Sequence, residues 1–137
     1  MLQPRLKTSL VCIVVWIAGC TLWSVAGVMP VAATGTGIGP TASLGVAGIL
    51  AVMAVLLYLA ARFDGLVFAA LSALCAVAGF APVYQAVTGD ASLWPTPFWR
   101  WAGAALNLCG IVAGLLGVTS GFRSRRITAG ANTQNLR

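Results

Sequence analysis

TASLGVAGILAVMAVLLYLAARFDGLVFAALSALCAVAGFAPVYQAV, residues 41–87, holds two long apolar runs parted only by Arg62-Phe63-Asp64-Gly65. A run of roughly 20 apolar residues, rising 1.5 Å per residue as a helix, crosses a hydrocarbon core about 30 Å thick. Both runs are continuously apolar, whereas the strands of a membrane barrel are about ten residues long and alternate in polarity. In lipid the backbone must satisfy its own hydrogen bonds, which leaves helix as the structure for each run. The stretch therefore predicts two antiparallel spans, 41–61 and 66–87, joined by a tight turn.

The same reading extends in both directions. Upstream, 10–33 is free of charge and follows Arg5 and Lys7; downstream, 99–122 is the fourth apolar run. Thr34 to Pro40 (TGTGIGP) is rich in backbone-permissive residues and reads as a turn. Gly89 to Arg100 (GDASLWPTPFWR) reads as a membrane-surface loop, and Pro82 is expected to kink span three or end its regular part. The expected architecture is an all-α integral membrane protein, one four-helix domain over 1–122 with spans 10–33, 41–61, 66–87 and 99–122. The basic tail 123–137 has no apolar face and is expected to be disordered.

Composition agrees with this class. Of 137 residues, 60% are apolar and 7% charged, and mean hydropathy is +0.96. A soluble domain carries about 25% charged residues. Eight basic residues against two aspartates, with no glutamate or histidine, give a net charge of +6. Basic residues collect on the cytoplasmic side of membrane proteins. With four crossings, Arg5, Lys7, Arg62, Arg123, Arg125, Arg126 and Arg137 share one side and Arg100 alone lies on the other, so both termini are expected in the cytoplasm. The Ala/Gly/Val/Arg bias with a single lysine is that of a GC-rich bacterial genome, which sets the expected location as the bacterial cytoplasmic (inner) membrane.

The opposite side then carries Trp94, Phe98, Trp99 and Trp101. Such rings suit the headgroup level; a docking surface for a partner subunit or lipid is their alternative use. Ala26-Gly27-Val28-Met29-Pro30-Val31 and Ala78-Gly79-Phe80-Ala81-Pro82-Val83 share four identities in six at an offset of 52, which raises a tandem duplication of a helical hairpin. Near the N-terminus, Ile17-Ala18-Gly19-Cys20 after a basic and apolar start resembles a bacterial lipoprotein signal. A lipidated protein continues into a polar tether, whereas here the chain stays apolar to Ala33, so an uncleaved helix is expected.

In lipid, helices associate through close approach of small residues and through polar links. Span four offers Gly103, Gly110-x-x-x-Gly114 and Gly117-x-x-x-Gly121; span three offers Ala69, Ser72, Ala73, Ala76 and Gly79 at three- and four-residue steps. These two are expected to pack tightly, although the same ridges suit another protein's helix. Asn107 is the main polar candidate at depth, as structural glue or as a solute contact, with Thr21, Ser24 and Ser72 beside it and Tyr84 and Gln85 nearer the outer face.

Cys12, Cys20, Cys75 and Cys109 all fall inside spans, so no disulfide framework is expected. Cys20, Cys75, Cys109 and Met53 lie near mid-depth on four different helices, a sulfur set of the kind that selects Cu(I). Thiols and thioethers also serve as plain packing groups, and no metal or other cofactor is expected. Asp64 and Asp90 sit at span ends, so no acid/base pair lies at membrane depth, and Asp64 is expected to be salt-bridged to Arg62 or simply solvated. Coupled transport normally buries an ionisable group there. No enzymatic activity is expected, and the basic tail answers to topology and anionic lipid rather than to nucleic acid. The expected function is an accessory or structural subunit packed against other membrane protein subunits of a larger complex. A homo-oligomeric channel or small-solute transporter, with a path near Asn107, Ser72 and Thr21, is the alternative.

Overall fold

A computed structural model describes residues 3–34 and 38–134. It is all-helical among those residues: α1 (Pro4–Thr34), α2 (Leu44–Phe63), α3 (Gly65–Thr88) and α4 (Pro97–Gln134), with a single 3-10 turn, Ala91–Leu93, between α3 and α4. Apolar stretches of 26, 20, 24 and 28 residues make all four long enough to cross a membrane.

Local chemistry sets the ends. α1 and α4 begin on Pro4 and Pro97, where a missing N–H costs nothing because the first turn has no partner for it. Ser43 caps α2 by accepting a hydrogen bond from the Val46 N–H at 3.1 Å. Asp64, in extended conformation, ends α2 and begins α3: its N–H donates to the Ala60 carbonyl, and its Oδ1 accepts from the Leu66 and Val67 N–H groups at 2.7 and 3.4 Å. One residue thus makes the whole turn. The carboxylate is spent on the helix N-terminus, where a negative charge is favoured. Arg62 turns instead to Tyr58, donating to its hydroxyl at 3.0 Å and lying 5.6 Å from its ring centroid.

α3 runs through Pro82 to Thr88, so the proline does not end the helix. One outcome differs from expectation. α4 passes Phe122 and stays helical to Gln134, so 123–134 extends the helix rather than forming a structureless tail. An existing helix propagates one bond per residue without a new nucleation cost, and no proline interrupts it there. Residues 35–37 of the expected Thr34–Pro40 turn and 135–137 of the expected tail lie outside the described residues.

α4 lies antiparallel to both α1 and α3, and α2 packs on α1 and α3. At the end carrying the termini, the core gathers Leu10, Ile13, Trp16 and Cys20 of α1 with Leu57 of α2, Phe68 and Cys75 of α3 and Ala113 of α4. A second, smaller cluster of Ala86, Trp94 and Ala104, with Trp99 against it, closes the opposite, loop-bearing end.

Candidate functional site

Glycine governs how near the helices come to α4. A Cβ placed on Gly121 would strike the Gly65 carbonyl and come within 2.8 Å of the Ala69 Cβ; on Gly114, it would lie 2.7 Å from the Ser72 carbonyl and 2.8 Å from Ala76. On Gly79 it would meet the Asn107 carbonyl and the Ile111 side chain at 3.0 Å. The opposed pairs Gly65/Gly121, Ser72/Gly114 and Gly79/Asn107 advance seven residues at a time, in opposite directions along α3 and α4. A seven-residue repeat keeps one seam facing its partner over two turns per step.

The next step of that repeat pairs Ala86 with Arg100, and there the contact is a charged hydrogen bond. The Arg100 Nε donates to the Ala86 carbonyl, and its Nη2 donates to Val87 and Gly89 carbonyls at 3.2 and 3.3 Å. These are the open carbonyls at the C-terminus of α3, the negative end of its dipole. The Trp94 and Trp101 rings hold the guanidinium at 5.4 and 5.5 Å from their centroids.

The other flank of α4 receives α1. The Trp16 indole lies against Gly110 and the Trp23 ring against Gly103, again one heptad apart on each helix. Gly117 sits where the flanks meet, facing Ser72 and Ile13. The Ser9 hydroxyl pairs with that of Ser120 at 2.7 Å and reaches the Leu116 carbonyl at 3.3 Å. The Trp16 Nε1 is, among the described residues, the one buried side-chain polar atom with no hydrogen-bond partner. Flat packing on the Gly110 backbone accompanies that orphaned donor.

The expected polar and small residues separate accordingly. Gly103 and Gly110 contact α1, Gly114 and Gly121 contact α3, and Gly117 contacts both, so all five ridge glycines are covered within the chain. Ala69 and Ala76 lie buried in the α3/α4 seam, whereas Ala73 is half-buried. Asn107 donates from Nδ2 to the Gly103 carbonyl of its own helix at 2.9 Å. Ser72 is fully buried and donates to the Phe68 carbonyl at 2.7 Å.

The four sulfurs do not converge. Cys20 and Cys75 are buried in the core, Met53 packs at its margin, and Cys109 is exposed on the outer face of α4. Cys109 directly precedes Gly110, so one side chain points outward when its neighbour packs on Trp16. All four cysteines are free. Of the aromatics, Trp94 is buried, Trp99 half-buried, and Phe98 and Trp101 exposed. Trp99 makes edge contacts with Trp23 and Phe98, ring centroids 5.5 and 5.4 Å apart.

At the loop-bearing end these elements leave a half-open crevice of about 20 Å³. Gln85 of α3, Arg100 and Asn107 of α4 and Thr41 supply its polar lining, and Trp23 and Trp94 two of its walls. Ser72 and Thr21 do not line it. The role of Arg100 went unread in the sequence, although a lone cation three residues into a helix that follows another helix's C-terminus is the available signal. No protein-family model, curated protein or solved structure matches this chain.

Proposed function

We propose that the chain is a non-catalytic accessory subunit of a bacterial cytoplasmic-membrane complex, with both termini in the cytoplasm. The observation that carries this reading is how the interior polar groups are used. Ser9 and Ser120 bond each other, and Ser72 and Asn107 bond carbonyls of their own helices. The Ser9–Ser120 pair ties α1 to α4, the Ser72 and Asn107 bonds stay within their own helices, and the crevice that contains Asn107 does not extend to Ser72 or Thr21. The seven-to-one bias of basic residues supports the orientation.

With the α4 glycines covered from inside, the partner-facing surface falls on α2. That helix touches only α1 and α3 to any extent, and Gly48 has no atom within 4 Å of where a side chain would begin. Exposed Gly45, Gly48 and Ala51 leave room for a second protein's membrane helix to approach closely.

Extraction from the native membrane in mild detergent, followed by native mass spectrometry, tests the reading. Stoichiometric recovery with larger, unrelated subunits is expected. Recovery as a lone homo-oligomer overturns it in favour of the channel, and Asn107 then becomes the first residue to replace.

A further inference from the structure

We propose that the crevice at the loop-bearing end, where α1, α3, α4 and the segment before α2 meet, binds one monovalent anion of halide size. The argument is independent of the accessory role and rests on charge, donors and volume. Among the described residues, Arg100 is the only charged one that lines the crevice. Asp90, the one acid at this end, is fully exposed and turned to the Ser92 N–H at 2.9 Å. The formal charge of the lining is thus +1, set against the electronegative C-terminal end of α3.

That charge is fixed in place. Two α3 carbonyls and that of its cap Gly89 accept from Nε and Nη2, and two indole rings flank the guanidinium, which leaves Nη1 uncommitted among the described residues. Further groups with N–H donors line the same crevice from two helices. Asn107 gives one Nδ2 hydrogen to Gly103 and keeps the other, and the Gln85 carboxamide forms no hydrogen bond within the described residues. A charge held in a partly enclosed crevice attracts a counter-ion more strongly than one in open water.

Volume sets the ligand class. A space of about 20 Å³ exceeds the roughly 10–15 Å³ that one water-sized particle requires, and falls far short of an organic solute. A chloride ion, solvated by carboxamide N–H groups and a guanidinium N–H, fits both size and charge. A neutral water uses the same space without using the charge.

The test uses the purified full chain in detergent micelles, with chloride titrated against gluconate, too large for the crevice, at constant ionic strength. Trp23 and Trp94 line the site, so intrinsic fluorescence reports on it, and the thermal unfolding midpoint gives a second readout. A saturable chloride response with a rising midpoint is expected. Gln85→Leu, at a half-buried position, should keep the helix content and the midpoint in gluconate while raising the half-saturating chloride concentration roughly tenfold or more. Asn107→Leu should do the same, and if it fails to fold, Gln85→Leu alone decides. Identical behaviour in chloride and gluconate, or a non-saturating response equal in wild type and Gln85→Leu, overturns the proposal and leaves the crevice to water.

Discussion

The two helical hairpins, α1–α2 and α3–α4, begin with similar first helices and end with different second ones. At an offset of 52, Trp16/Phe68, Ile17/Ala69, Cys20/Ser72, Ser24/Ala76 and Gly27/Gly79 are buried at matching positions of α1 and α3. The second helices do not correspond. α4 is notched by glycines on two flanks and takes a neighbour on each, whereas the α2 glycines at 45 and 48 face outward. Burial pattern alone therefore does not set helix distance; a glycine does so only where a partner backbone occupies the space left by its missing side chain.

The contrast breaks most readily at Gly114. Gly114→Ala places a methyl 2.7 Å from the Ser72 carbonyl and 2.8 Å from the Ala76 backbone nitrogen, and overpacking of this kind typically costs about 1–3 kcal/mol. Gly48→Ala meets nothing and should be neutral or gain up to about 1 kcal/mol in helix propensity. Unfolding of both variants by SDS titration in mixed micelles checks the pair, and equal losses would erase the difference between α2 and α4.

Of similar size is the effect expected at the arginine of the second hairpin, set against that of the first. Arg100→Gln removes a charged grip on three carbonyls at the C-terminal end of α3, those of Ala86, Val87 and the cap Gly89, and bonds to charged groups are worth about 1.5–3 kcal/mol together with their desolvated partners. Arg62→Gln removes an exposed contact with Tyr58, for which about 0.2–1 kcal/mol is the scale. The same titration should therefore separate the two by a readily measured margin.

A smaller effect is expected across the α1/α4 flank. A double-mutant cycle on Ser9→Ala and Ser120→Ala should return a coupling of about 0.6 kcal/mol, the average for interhelical bonds in membranes. A coupling indistinguishable from zero would mean that the hydroxyl pair is replaced by other partners once one member is gone.

The least effect concerns the connection inside the second hairpin. Hydrogen bonds from the Ser92 backbone and side chain, helped by the charge of Arg100, hold the Asp90 carboxyl below its ordinary value. A depressed folded-state pKa gives stability that is fully present above the unfolded value of about 3.9 and is lost as pH falls through the folded one. Asp90→Asn should flatten that acid-side dependence in a pH series of unfolding midpoints.

Much of the fold was legible because each span is a property of its own segment. Residues 41–87 suffice to give two spans and the turn at Asp64. The length of α4 was misjudged because its polar continuation lacks an apolar face, although nothing in it ends a helix. The two glycine pairs at four-residue spacing marked α4 as a packing helix, but suggested ridges that run Gly110–Gly114 and Gly117–Gly121. The contacts instead follow seven-residue steps: 103, 110 and 117 toward α1, and 100, 107, 114 and 121 toward α3. The direction of Cys109 was not readable, because it follows from the neighbours of α4 and not from position along a span.

Alone, the sequence determined four apolar segments, their order and the residues that end them, since insertion into lipid is decided by the apolar length and backbone bonding of each helix separately. Tertiary structure decided which flank of α4 each glycine serves, that Arg100 grips the end of α3, and that Gln85, Arg100 and Asn107 share one crevice. Those outcomes depend on pairs of residues far apart in the chain, whose meeting is set by how the helices fit against one another and not by the hydropathy of any one of them.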